Sequence, residues 1–299
     1  MTEPPTRPES GRTPLWPVIL LGLVAMAACI AWIAGSEIPA KVFISSWSVS
    51  FPGILTLVLL LAIGARVRGR WRELLFAPRP LMTVYLMIAV SGVLAGYGAL
   101  QHMMPTLGIV IARASAANGW KRFSDAIPDW LLPHSPEVMQ AMMSGENPVP
   151  WGAWLKPLAV WTVLLLALYG AMIFLSLLLS RQWIQGERLA FPVAQLPLEM
   201  VQPQRGLFRH RLMWIGFAIP AILESLIALN YYFPAVPAVV IKHRNFQPEW
   251  FPERPWSAMT PFYWGWTPFI IGFAYLAPLD VIFSVWFFNW LTKLLRVWG

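Results

Sequence analysis

The sequence predicts an all-α fold: a polytopic transmembrane helical bundle of about six spans, N-in and C-in, with interfacial or re-entrant segments. Three observations predict it. The 299 residues are 58% hydrophobic and 12% charged, about half the charge of an average soluble domain, and mean hydropathy is +0.58. Six segments are long and apolar enough to be read against the roughly 20 residues that cross a bilayer. Arginine crowds alternate links between them.

The polar, proline-rich start, residues 1–14, reads as a disordered cytoplasmic tail. The apolar run behind it is longer than a signal-peptide core and lacks a small-residue cleavage site, so it reads as a retained helix. The expected spans are about 15–35, 47–65, 81–103, 157–179, 212–233 and 262–295. The last is long enough for one tilted span with an entry segment, or for two half-helices broken at Pro278. Between the fourth and fifth spans, SRQWIQGERLAFPVAQLPLEM (180–200) is too short and too broken by Pro192 and Pro197 to cross. It reads as interfacial or re-entrant, with Glu187 placed to pair with Arg181 or Arg188. Residues 104–156 and 234–261 are long outward loops, expected to lie in part along the bilayer surface as short helices. Six of the 18 tryptophans fall there, as the amphipathic indole favours the interface.

Charge fixes the orientation. Arg66, Arg68, Arg70, Arg72 and Arg79 occupy one inward link; Arg181, Arg188, Arg205, Arg209 and Arg211 occupy the next. With Arg7, Arg12, Lys293 and Arg296, 14 of the 22 basic residues fall on the inner side of a six-span chain. The net charge of +8 therefore reads as the positive-inside pattern, and nucleic acid is not an expected partner. The single cysteine, Cys29, lies in the first span and reads as a packing residue.

Ionisable groups inside hydrocarbon are costly, so each is a functional candidate. Two carboxylates qualify. Glu224 sits mid-span in IPAILESLIALNYYFP, where it is either a titratable coupling group or a protonated structural hydrogen-bonder. Asp280 follows Pro278 in YLAPLDVIFSVWFF, where it either caps a half-helix or also contributes to an ion or substrate site at the break. Asn230 and Tyr231, within two turns of Glu224, and Gln101 at the end of the third span complete the candidate pathway; His102 beside it reads as interfacial. No GxSxG, P-loop, HExxH or GxGxxG occurs, and His102, His134, His210 and His243 lack metal-ligand spacing. The chain is thus not expected to be an enzyme, and no cofactor, metal or catalytic residue is expected.

The stretches at 180–200, LNYYFPAVP (229–237) and FAYLAPLDVIFSVWFFNWL (273–291), with LAGYGALQHMMPTLG (94–108) and VPWGAWLKPLAVW (149–161), resemble a family of bacterial polytopic membrane proteins of unknown function. Through ERLAFP and LAPLD that family is distantly similar to the oligopeptide transporter superfamily. The resemblance implies a proton- or ion-coupled secondary transporter of a small, possibly peptide-like solute in the bacterial inner membrane. Members continue into a second membrane half, so this chain looks like the N-terminal half. Its expected partners are the lipid bilayer and that second half or further copies of itself. The alternative function is a non-catalytic assembly or scaffold subunit of a larger membrane complex.

Overall fold

The computed structural model describes residues 14–40, 44–45, 50–115, 117–133, 135–145, 148–187, 191–202, 206–237, 244–265 and 267–298. The tail, Arg188, Arg205, His134 and His243 lie outside them. The described residues are all-α but for a two-residue antiparallel ladder, and the chain divides into two units at Leu189/Ala190. Among the described residues four stretches are long and apolar enough to cross a membrane: Trp16–Ile38, Arg70–Ala112, Trp151–Gly186 and Arg211–Tyr232.

The first unit opens with α1 (Trp16–Ala40) and α2 (Phe51–Gly64). Ser50 caps α2, its Oγ accepting the Gly53 N–H at 3.3 Å. At 14 residues, α2 is the short apolar helix of the set. Next come α3 (Arg70–Phe76), α4 (Pro78–Ala95) and α5 (Leu100–Ala112). The expected third span is thus interrupted: Pro78 starts α4, where its missing N–H costs nothing, and the helix ends at Gly96 before α5 begins.

Helices α1, α2 and α4 form the best-packed core. Ile33, Leu57, Leu81, Val84 and Ile88 are almost fully buried. Glycine lets the helices close: a Cβ on Gly22 would meet the Met87 sulfur at 2.4 Å, and one on Gly53 would meet the Tyr85 ring at 2.9 Å. Small residues at helix contacts are how membrane helices gain packing where lipid removes the hydrophobic drive. Cys29 is buried here with its Sγ 3.4 Å from Thr56 Oγ1.

The segment between α5 and α8 folds on itself. α6 (Lys121–Ser124) and α7 (Pro136–Ser144) lead into α8 (Trp151–Arg181). Ile111, Leu132, Met139 and Trp154 make a small core, and Trp161 Nε1 donates to the Leu131 carbonyl at 3.0 Å. α7 ends at Gly145 with φ 70°, the left-handed stop that glycine allows. Beyond this contact α8 buries almost nothing among the described residues of the first unit. It ends in a π-turn, Gln182–Gly186. There Arg181 Nε donates to Gln185 Oε1 and Gln182 Nε2 to Glu187 Oε1, both at 3.4 Å. Of the two expected partners Arg188 lies outside the described residues, and Glu187 takes Gln182 in place of Arg181, because the wider π-turn brings residues five apart together.

In the second unit, α9 (Pro192–Val201) is a ten-residue helix that begins with Pro192 and contains Pro197. α10 (Arg211–Tyr232) is the expected fifth span, with no buried residue. Then come β1 (Arg244–Asn245), α11 (Gln247–Trp250), a 3₁₀ turn Trp256–Met259 and β2 (Tyr263–Trp264). Arg244 pairs with Trp264, and Asn245 with Tyr263. The expected sixth span is two helices, α12 (Pro268–Leu276) and α13 (Leu279–Trp298). Ala277 is extended (φ −82°, ψ 150°), the conformation a following proline imposes, and Pro278 cannot donate across the gap.

Candidate functional site

The residues expected to line a pathway fall in three places. Gln101 is in the first unit, at the start of α5, where its Nε2 donates to the Ala95 carbonyl at 3.0 Å. Glu224, Asn230 and Tyr231 are on α10. At about 100° per residue, Glu224 and Tyr231 share one side of that helix and Asn230 lies about a third of a turn away. Asn230 Nδ2 donates to the Val236 carbonyl at 2.6 Å, closing the turn after the helix, so its amide is engaged. Tyr231 is exposed and meets the Tyr232 ring edge-on at 5.3 Å. Glu224 is exposed on α10, and beside it Trp214, Phe217, Ala221, Ile222, Ser225 and Leu226 line an open groove of about 570 Å³. Among the described residues no hydrogen bond joins Glu224 to Asn230, Tyr231 or Asp280.

Asp280 lies in the first turn of α13, directly after the helix break. Its own carbonyl accepts the Ser284 Oγ–H at 2.7 Å, while the Pro278 carbonyl accepts the Ile282 N–H at 3.1 Å. A carboxylate at this position complements the positive end of the helix dipole.

One carboxylate escaped the sequence reading. Glu37 is 2% exposed, in the last turn of α1. Its Oε1 accepts the Ser45 N–H at 2.6 Å and its Oε2 accepts the Tyr97 N–H at 3.0 Å. One side chain therefore ties the α1–α2 connection to the turn between α4 and α5. Ser45 is buried against Gly96, and its Oγ has no hydrogen-bond partner among the described residues. The Tyr97 ring lies 5.3 Å from His102, next to Gln101. Glu37, Ser45, Tyr97, Gln101 and His102 thus form one polar knot at the ends of α1 and α4. The signal that points to it is helix length. α1 runs five residues past Gly35, where the apolar run stops, and so carries Glu37 into the packed interior.

A second polar group gathers at the end of α13. Lys293 Nζ donates to the Met259 carbonyl at 3.2 Å and to the Pro261 carbonyl, and lies 5.6 Å from the Phe262 ring centre. Arg296 Nη1 donates to the Thr260 carbonyl at 2.9 Å. Aromatic rings surround them: Phe246 stacks on Trp250 at 4.9 Å, and Phe262 lies 5.9 Å from Trp250 and 5.8 Å from Trp290. Asn245 Oδ1 locks the loop by accepting the N–H groups of Gln247 and Phe262.

Searches of curated proteins and of solved structures returned no match. A family model matches residues 8–299, nearly the whole chain, and the protein accordingly belongs to the family of unknown function DUF6785.

Proposed function

We propose that the chain is a secondary transporter, or half of one, moving a small, possibly peptide-like solute across the bacterial inner membrane with proton or ion coupling. The observation that carries this reading is the discontinuous helix α12–α13. The helical ladder is interrupted at Ala277–Pro278, where Ala277 is extended and Pro278 has no N–H to donate, and Asp280 follows in the next turn. Half-helix ends beside a carboxylate are how transporter folds build ion and substrate sites within a bilayer. LAPLD (276–280), on which the expected resemblance to oligopeptide transporters rests, falls on the same break. Glu224, the one acidic residue of α10, is the protonatable coupling group in this scheme.

The test is uptake of labelled di- and tripeptides into proteoliposomes under an imposed pH gradient. Glu224→Gln is expected to abolish the gradient-dependent part, and Asp280→Asn to lower uptake with or without a gradient. Unchanged coupling in Glu224→Gln removes that residue from the scheme. If the inserted wild-type protein takes up no peptide and instead copurifies with a defined partner, the assembly-subunit reading replaces this one.

A further inference from the structure

A chain that crosses a bilayer once separates its ends by roughly 30 Å of hydrocarbon. Residues 262–293 do not separate theirs. The Phe262 and Trp290 rings lie 5.8 Å apart, and Lys293 reaches the carbonyls of Met259 and Pro261. Arg296 reaches the carbonyl of Thr260 between them. From this meeting point the chain runs out through β2 and α12, turns at Ala277–Pro278 and comes back along α13. The return from Leu279 to Lys293 is about 21 Å of helix, short of a full crossing. α12, at nine residues, covers about 13 Å. α13 is 20 residues long, yet Asp280, Asn289, Lys293 and Arg296 keep it out of the set apolar enough to cross.

The apolar and polar residues of this segment are distributed for such a path. Leu279, Val281, Phe283, Val285 and Trp286, in the half of α13 nearest the turn, are exposed side chains suited to lipid. The cations sit at the opposite end. By the positive-inside rule Lys293 and Arg296 mark a cytoplasmic end. Here they donate to three backbone carbonyls and Lys293 faces an aromatic ring, so their charge is satisfied by the 259–262 loop itself. They are local anchors, and they stop counting as evidence for a separate face.

We infer that residues 262–298 form a re-entrant hairpin. It enters and leaves the membrane on the face that bears residues 244–262, is pinned there by Lys293 and Arg296, and carries Asp280 at its tip inside the bilayer. The C-terminal residues then lie on the opposite face from the start of α10. Irregular backbone at depth is tolerated where protein covers it or water lines it. The hairpin stands independently of the transport reading: it concerns which side a residue lies on, and no uptake result bears on it.

Single cysteines placed at exposed sites in a Cys29→Ser background test it: Glu253→Cys in the loop after α11, Trp298→Cys at the end of α13, and Arg209→Cys just before α10. Trp298 is 93% exposed, so the probe itself should not disturb packing. A membrane-impermeant maleimide is applied to intact cells and to inverted vesicles. The expected result is that E253C and W298C label in the same preparation and R209C in the other. W298C labelling with R209C would overturn the hairpin and restore a full crossing. A reporter fused to the C-terminus of the unsubstituted chain reads the same sidedness without any change in the fold.

Discussion

Replacing Glu37 with alanine is expected to destabilise the first unit by about 2–5 kcal/mol, the largest effect of any single side-chain truncation in the polar knot. The reasoning is an accounting of donors. The N–H groups of Ser45 and Tyr97 both end on the Glu37 carboxylate, at 2.6 and 3.0 Å. A buried donor left without an acceptor costs roughly 1–3 kcal/mol, more when the lost partner was charged. Water entering the space left by the side chain would bring the cost toward the lower end. Glu37→Gln tests the mechanism, because an amide has one acceptor oxygen where a carboxylate has two. It is expected to keep one of the two bonds and to present an N–H to the other donor, giving a loss between wild type and alanine. Glu253→Ala, at an exposed carboxylate, is the control and should stay within about 0.5 kcal/mol of wild type. The measurements are the thermal midpoint in detergent and the hydrogen-exchange protection of the Ser45 and Tyr97 amides. Unchanged protection in Glu37→Ala would show that the carboxylate does not hold these segments.

Glu37 also shows where sequence reasoning stopped. Hydropathy ends the first span at Gly35, because Ser36 and Glu37 look like the start of a polar loop. The helix continues to Ala40, because its inner face is packed against α4 and packing, not composition, decides its length. The partners of Glu37 are backbone N–H groups, one of them 60 residues away, and a backbone donor leaves no mark on the sequence. Gln101 was legible because it is a polar side chain at the end of an apolar run; its neighbour across the knot was not. The same limit applies at the other end of the chain. Pro278 announced the break between α12 and α13, since a proline inside an apolar run removes a ladder bond. That the two arms return to one level could not be seen, because Lys293 and Arg296 donate to carbonyls of Met259, Thr260 and Pro261. In a sequence these cations are indistinguishable from charges that mark a membrane face. Helix character followed from local composition. Helix ends and the folding back of α13 depended on tertiary hydrogen bonds to main chain.

The second large effect is expected at Gly96, where adding one methyl group should unmake the same knot from the other side. Gly96 has φ −86° and ψ −176°, extended backbone that any L-residue adopts, so its role is not conformational freedom. Its role is proximity. A Cβ there would lie 1.8 Å from Ser45 Oγ, 2.4 Å from Ser45 Cβ and 2.9 Å from the Gly92 carbonyl oxygen. Ser45 would have to move, and its N–H is one of the two that Glu37 holds. Overpacking a tight contact costs about 1–3 kcal/mol, and here the displaced hydrogen bond adds to it. Gly96→Ala should therefore lower the thermal midpoint well below that of Gly98→Ala, two residues away, where a Cβ meets nothing within 4 Å. Adding Ser45→Gly to Gly96→Ala removes both the Oγ and the Cβ in the way and should recover most of the loss, leaving only the contact with the Gly92 carbonyl. Recovery in the double variant identifies the Ser45–Gly96 contact as the cause, since the two sites are then coupled rather than additive. If Gly96→Ala is as stable as Gly98→Ala, the α1–α2 connection does not press on α4 at this point, and Glu37 cannot be bridging the two.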